Sequence, residues 1–268
     1  MIAADLCLPD SLLDIREEPS VITGVNLYTI TYPSGGFRVK AALAVPESPK
    51  PLPALLYCRG GINRVGRVRP ERISQMASFG HIVLAPYYRG SEGGEGRDEF
   101  GGAEREDVSM AYGLLRRWPL VDQNRISLYG FSRGGMMALL AAAEHRGFHA
   151  AVVWGGVSDL LLTYEERPDL RRMLRRIVGD PVKRRDAYIS RSPLYRVQEI
   201  HCPVLIIHGT EDQNVSASHA KRLADALAAC GKPHELWLAE GEGHLFDSRQ
   251  LEAYTRRMFA WLAQSFDR

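Results

Sequence analysis

Apolar and polar positions follow two different periods along this chain. A helix-like opening stretch, "MIAADLCLPDSLLDIREEPS", precedes two β-type runs, "VNLYTITYP" (25–33) and "FRVKAALAVP" (37–46). Ser34-Gly35-Gly36 between them predicts a hairpin turn. After the Pro-rich "PESPKPLP", short apolar runs alternate with helix-period segments. The runs "ALLYC" (54–58), "HIVLAPYY" (81–88), "RISLY" (125–129), "HAAVVW" (149–154), "CPVLIIHG" (202–209) and "HELWLA" (234–239) read as strands. Segments 70–80, 104–118, 133–145, 216–231 and 248–266 read as helices. Continuous apolar strands separated by helices predict a mostly parallel central sheet of about eight strands, covered by helices on both faces. The hairpin would form its antiparallel edge. Residues 155–201 are charged and helical and hold no strand, which predicts a small insertion over the edge where open α/β sheets bind ligands. No internal repeat or dividing linker is visible, so residues 1–268 are expected to form a single domain.

Composition narrows the classes. The chain has 268 residues, 45% of them hydrophobic and 25% charged, with a net charge of +2, which suits one domain with a large core and no bulk electrostatic partner. Arginines cluster in "RRMLRR" (171–176) and "KRR" (183–185). Without interleaved aromatics these read as a solvated helix face, so no nucleic-acid partner is expected. Cys7, Cys58, Cys202 and Cys230 are far apart and have no metal-ligand spacing; Cys58 and Cys202 read as small core residues. The N-terminus lacks a basic leader pattern, and no run approaches the roughly 18 apolar residues of a membrane span. The expectation is a cytoplasmic protein with reduced thiols, no membrane contact, no metal and no cofactor.

The chemistry concentrates in "ISLYGFSRGGMMALLAAAEH" (126–145). A strand candidate meets a helix candidate, and Ser132 sits at the joint between Gly130 and the pair Gly134 and Gly135. The plain reading is a capped turn. The strand–serine–helix order instead suits a nucleophile elbow, in which small neighbours permit a strained turn. A serine hydroxyl needs a base to take its proton and an acid to orient that base. Of eight histidines, His81, His149, His208 and His234 lie at strand ends, His145 and His219 on helices and expected at the surface, and His201 before a strand. His244 alone sits in a loop after the last strand, in "GEGHLF", and is the candidate base. Asp212 in "GTEDQNV" is the candidate acid, because its loop belongs to the strand beside the histidine loop; Asp159 and Glu211 compete. One oxyanion donor is expected from the backbone N–H of Arg133, at the helix start, and the other from the loop "RGGINR" (59–64), including Gly60. Pocket walls are expected from Ile62, Tyr87, Tyr88, Phe100 and Tyr164, with Trp154 more a core than a pocket residue.

Three segments together resemble the catalytic domain of the prolyl oligopeptidase family of serine hydrolases. "VLAPYYRGSEGGEGRDE" (83–99) looks like that family's strand and following loop, "EDVSMAYGLLRRWPLVDQNRISLYGFSRGGMMAL" (106–139) like its helix, connection and elbow, and the segment 192–246 like its acid and base region. The resemblance covers roughly residues 25 to 266. It implies an α/β-hydrolase fold, with Asp212 and His244 at the matching places and Arg59 where a side chain donates to the oxyanion. The family commonly has Tyr or His at Arg59 and Tyr or Asn at Arg133, so these two positions depart from it. Many members carry a β-propeller that selects peptides, for which this chain has no room. The expected activity is therefore hydrolysis of small acyl esters through a Ser-His-Asp acyl-enzyme. An exopeptidase or acylaminoacyl peptidase acting on short peptides is the alternative, and a non-catalytic binding protein on the same fold is the reading from another class. An exposed edge strand would permit a homodimer.

Overall fold

The computed structural model describes residues 9, 11–62 and 65–265. Residues 1–8 and 10 of the opening stretch, Cys7 included, lie outside these, and its described part is not helical. It holds β1 (Asp14–Glu18), which pairs antiparallel with β2 (Val25–Ser34) from Asp14 opposite Thr31 to Glu18 opposite Leu27. No apolar alternation marks "DIREE"; the ladder holds it, helped by Thr29 Oγ1 donating to the Glu18 carboxylate at 2.8 Å. Charged side chains on such an edge discourage further strand pairing. β2 and β3 (Phe37–Pro46) form the predicted hairpin, with Ser34 opposite Phe37.

The alternating part follows as β4 (Leu52–Cys58), α1 (Pro70–Ala77), β5 (Ile82–Pro86), α2 (Arg105–Arg117), β6 (Val121–Phe131), α3 (Arg133–Glu144) and β7 (Ala151–Trp154). The insertion supplies α4 (Leu160–Glu166), α5 (Arg171–Ile177) and α6 (Arg185–Ile189). β8 (Val204–Gly209), α7 (Ala217–Ala229), β9 (His234–Ala239) and α8 (Ser248–Ser265) complete the described chain. The nine strands form one sheet in the order β1-β2-β3-β5-β4-β6-β7-β8-β9. β4 to β9 pair parallel and the first three strands antiparallel, as in the α/β-hydrolase architecture. The ninth strand is β1, which the periodicity did not reveal.

Side chains alternate across each strand. In β4, Ala54, Leu56 and Cys58 pack against α2 and α3, while Leu55 and Tyr57 pack against α1 and α8. The register also levels the strand ends: Cys58 pairs with Gly130, Phe131 with Trp154, Trp154 with Ile207, and Gly209 with Ala239. The loops leaving β4, β6, β7, β8 and β9 therefore open along one edge. Cys58 and Cys202 are buried and Cys230 is exposed. His219, expected at the surface, is 1% exposed: α7 turns it inward, where Nδ1 accepts from the Ser158 N–H at 3.1 Å. No helix among the described residues is long and apolar enough to cross a membrane.

Candidate active site

Ser132 occupies the joint between β6 and α3 with φ 57° and ψ −126°. A non-glycine residue rarely holds a positive φ, and such strain persists only where the surroundings fix it. Here the Ser132 N–H donates to Trp154 O at 3.0 Å, and Ser132 O accepts from the N–H groups of Gly135 (2.9 Å) and Val157 (3.1 Å). The joint is thus bolted to β7 and its exit. Gly134 lets α3 start this close, because a Cβ there would collide with the Cys58 carbonyl.

His244 stands in the loop after β9, its ring 4.9 Å from that of Phe131, the residue before Ser132. Its Nδ1 lies 2.7 Å from Asp212 Oδ2. A carboxylate only accepts, so Nδ1 carries the proton and Nε2 is left as an acceptor. Asp212 Oδ1 accepts from the N–H groups of Asn214 (2.8 Å) and Val215 (2.9 Å). Burial pushes the Asp212 pKa up, but the hydrogen bonds from His244, Val215 and Asn214 outweigh it and hold the carboxyl below its ordinary value. Gly155, with φ +53°, leaves room for the pair: a Cβ there would sit 3.3 Å from His244 Nδ1 and 3.4 Å from Asp212 Oδ2. The competing acids lie elsewhere. Asp159 caps α4 and faces Arg222 at 3.2 Å, and Glu211 is exposed.

Behind the acid, His208 is fully buried with Nε2 2.8 Å from Val215 O and 3.5 Å from Asp212 Oδ2. Burial lowers its pKa and keeps it neutral, with the proton on Nε2.

Arg59 does not have the geometry of a side-chain oxyanion donor. Arg59 is 1% exposed and its guanidinium is held from all three nitrogens: Nε donates to Tyr87 O (2.9 Å), one terminal nitrogen to Gly60 O (3.1 Å) and Val65 O (3.2 Å), and the other to Ser91 Oγ (3.2 Å) with Asp98 Oδ2 3.8 Å away. A guanidinium has five N–H groups, and four of them are hydrogen-bonded to protein, with the Asp98 carboxylate as the nearest charge to the second terminal nitrogen. Gly60 does lie at the joint: a Cβ on it would be 2.9 Å from Ser132 Cβ.

The expected pocket residues divide. Tyr88 is 0% and Phe100 5% exposed, so both belong to the core rather than to a pocket wall. They form a cushion for the Arg133 guanidinium, 5.2 Å and 4.7 Å from the respective ring centres. Ile62 is half-buried against the core on the α2 and α3 face. Tyr87 lines a cavity of about 500 Å³ between β1–β3 and the start of α1, a space that includes Arg59 but neither Ser132 nor His244. Tyr164 is half-buried under Arg171 and Arg175, with its hydroxyl turned inward. Trp154 is core, edge-on to Phe246. A second cavity of about 280 Å³ reaches His244 and is lined by Tyr57, Tyr129, Phe131 and Trp154.

Sequence reasoning missed Asp98 and Glu104. Both are buried and both bind the Arg133 guanidinium, at 2.7 and 2.5 Å. Their one sequence signal was charge in an otherwise Gly-rich stretch.

The chain was compared with known proteins. The Peptidase_S9 model, described as the prolyl oligopeptidase family, matches residues 67–268. The "Uncharacterized peptidase YtmA" of Bacillus subtilis is 47% identical over 253 residues, covering 94% of this chain and 98% of the relative. Dipeptidyl-peptidase 5 of Porphyromonas gingivalis is 30% identical over 229 residues, covering 80% of this chain; the match spans only 33% of that relative's length. Among solved structures, a puromycin-hydrolyzing peptidase of Mycobacterium tuberculosis superposes with a TM-score of 0.78 at 26% identity, covering 94% of this chain and 39% of that one.

Proposed function

We propose that this chain, which belongs to the prolyl oligopeptidase family and is a hydrolase of the serine-peptidase type, forms its acyl-enzyme on Ser132 and cleaves short peptide-like amides. The observation that carries the reading is the strained Ser132 joint on the same sheet edge as the 2.7 Å His244–Asp212 pair. Ser132 Oγ attacks the substrate carbonyl carbon as His244 Nε2 takes the hydroxyl proton. The negative charge that develops on the carbonyl oxygen is met by the Arg133 N–H at the α3 N-terminus and by an N–H of the loop after β4. His244 returns the proton to the departing amine, and the carbon–nitrogen bond breaks. Water then repeats the sequence, releasing the acid and restoring Ser132. Asp212 fixes the His244 tautomer and stabilises the imidazolium. Peptide-like substrates are favoured by the peptidase names of the relatives.

Small acyl esters are the second reading, since the same acyl-enzyme forms from an ester, which has the better leaving group. The test is a panel of aminoacyl and dipeptidyl p-nitroanilides beside p-nitrophenyl esters, each with Ser132→Ala as control. Turnover of at least one anilide series that disappears in Ser132→Ala supports the peptidase reading. Ester turnover with every anilide inert would install the ester reading instead. Turnover that survives Ser132→Ala would remove both.

A further inference from the structure

Two arginines are almost wholly buried beside Ser132, Arg59 at 1% and Arg133 at 2% exposure. Burying a guanidinium is costly unless its charge is matched and its N–H groups are bonded. The match is a closed group of four. Asp98 takes Arg133 through both oxygens, at 2.7 and 2.8 Å, and stands 3.8 Å from Arg59. Glu104 takes Arg133 at 2.5 Å. Two positive and two negative side chains sum to zero, with both guanidinium carbons about 5 Å from the centre of the buried Tyr88 ring (5.1 and 5.2 Å). Burial opposes the charge on Arg133, yet Asp98 and Glu104 hold its pKa above the ordinary arginine value.

This arrangement does more than neutralise charge. Each arginine also donates to one carbonyl of the loop after β4: Arg59 to Gly60 O at 3.1 Å, and Arg133 to Gly61 O at 2.7 Å. All described peptide bonds are trans. In a trans peptide the N–H points opposite to the C=O across the same plane. Holding Gly60 O therefore fixes the direction of the Gly61 N–H, and holding Gly61 O fixes that of the Ile62 N–H. Glycines have no side chain to limit rotation of these planes, so the side chains of other residues must supply the restraint. The loop lies on the Ser132 joint, as the 2.9 Å approach of a Gly60 Cβ to Ser132 Cβ records.

We propose that the Arg59 and Arg133 side chains are positioning groups that lock the Gly60–Gly61 and Gly61–Ile62 peptide planes, and so preset the second oxyanion donor. The proposal rests on the reading of Ser132 as the nucleophile. Arg133 then serves both halves of the oxyanion site: its own N–H is one donor, and its side chain aims the loop that carries the other. A preset donor acts when charge develops on the substrate oxygen, so its loss falls on the transition state and not on ground-state binding.

The test separates this role from mere support of the fold. Removing one arginine alone leaves an unmatched buried carboxylate, which by itself destabilises. The decisive variant is the charge-balanced double substitution Arg59→Met with Glu104→Gln, compared with Arg59→Met and Arg133→Lys singly. Readouts are kcat and KM on one ester or anilide, Tm, and inhibition by a trifluoromethyl ketone, whose tetrahedral adduct needs the oxyanion donors. Ser132→Ala is run alongside. The expected result for the folded double variant is a kcat about 10- to 1,000-fold lower, KM within about 3-fold, and ketone affinity weakened in step with kcat/KM. An unchanged kcat with unchanged ketone affinity, or a loss confined to KM, overturns the proposal while Ser132→Ala remains inactive. Turnover persisting in Ser132→Ala would instead remove the assignment of the nucleophile on which the proposal rests.

Discussion

Substituting Asp212 by Asn exchanges one oxygen for an NH₂ group of nearly the same size, and the structure dictates which way the amide must face. Asp212 Oδ1 accepts two backbone N–H groups, from Asn214 at 2.8 Å and Val215 at 2.9 Å. An NH₂ group placed there would confront two donors, so the amide oxygen must take that site. The NH₂ then occupies the place of Oδ2, 2.7 Å from His244 Nδ1. It can only donate, so Nδ1 must accept and the imidazole proton moves to Nε2. His244 in that tautomer cannot take a proton from Ser132. The wrong tautomer costs on the order of 10⁴ in kcat in hydrolases that use this triad, which is about 5.5 kcal/mol of transition-state stabilisation. KM should stay within a few-fold, because Asp212 is buried and acts through His244. The assay is steady-state kcat on a p-nitrophenyl ester near neutral pH, with Tm as the control for folding. A folded Asp212→Asn protein within about 10-fold of wild-type kcat would refute the reasoning.

Gly155→Ala introduces a methyl 3.3 Å from His244 Nδ1 at a residue with φ +53°. The backbone strain costs roughly 1 kcal/mol of stability, and crowding of the His–Asp pair should lower kcat at least about 10-fold, since a misplacement of about 1 Å costs on the order of 100-fold; an unchanged kcat would contradict the packing described. Acid stability supplies another prediction. Burial lowers the pKa of His219 to about 3 and of His81 to about 4, against an ordinary 6.5. The unfolded chain therefore binds protons below about pH 6.5 that the folded one refuses, so stability is present above that pH and is lost as pH falls toward the folded values. At about pH 5 each histidine should cost roughly 2 kcal/mol. Tm measured from about pH 7 to 5 should fall, and less steeply in His219→Gln; identical slopes would refute the assignment.

How much of this was legible depended on whether the signal was local. The hairpin was readable because its turn residues sit between two apolar runs, and the β6–Ser132–α3 joint because strand, glycine and helix signals adjoin. His244 and Asp212 followed from chain order. β1 was not readable, since "DIREE" is held by pairing with residues 27–31 rather than by its own pattern. The four-charge group was equally hidden, because residues 59, 98, 104 and 133 meet only once the sheet is assembled. Arg59 therefore looked available as an oxyanion donor, when three backbone carbonyls and Ser91 already hold its guanidinium. Tyr88 and Phe100 looked like pocket aromatics for the same reason. Both hold positive φ values, 64° and 56°, which turn them into the core beneath Arg133. His219 was misplaced because its polar side chain outweighed its position one turn before Leu223 on the buried face of α7, and because its partner, Ser158, lies across the fold.

The central claim is that Ser132 is the nucleophile of an acyl-enzyme. The most direct measurement is peptide-mapping mass spectrometry of the full-length protein after treatment with a fluorophosphonate, in parallel with Ser132→Ala. The expected result is one adduct per chain, on Ser132, with no adduct in the folded Ser132→Ala protein. An adduct on a different serine, or equal labelling of the Ser132→Ala protein, would contradict it.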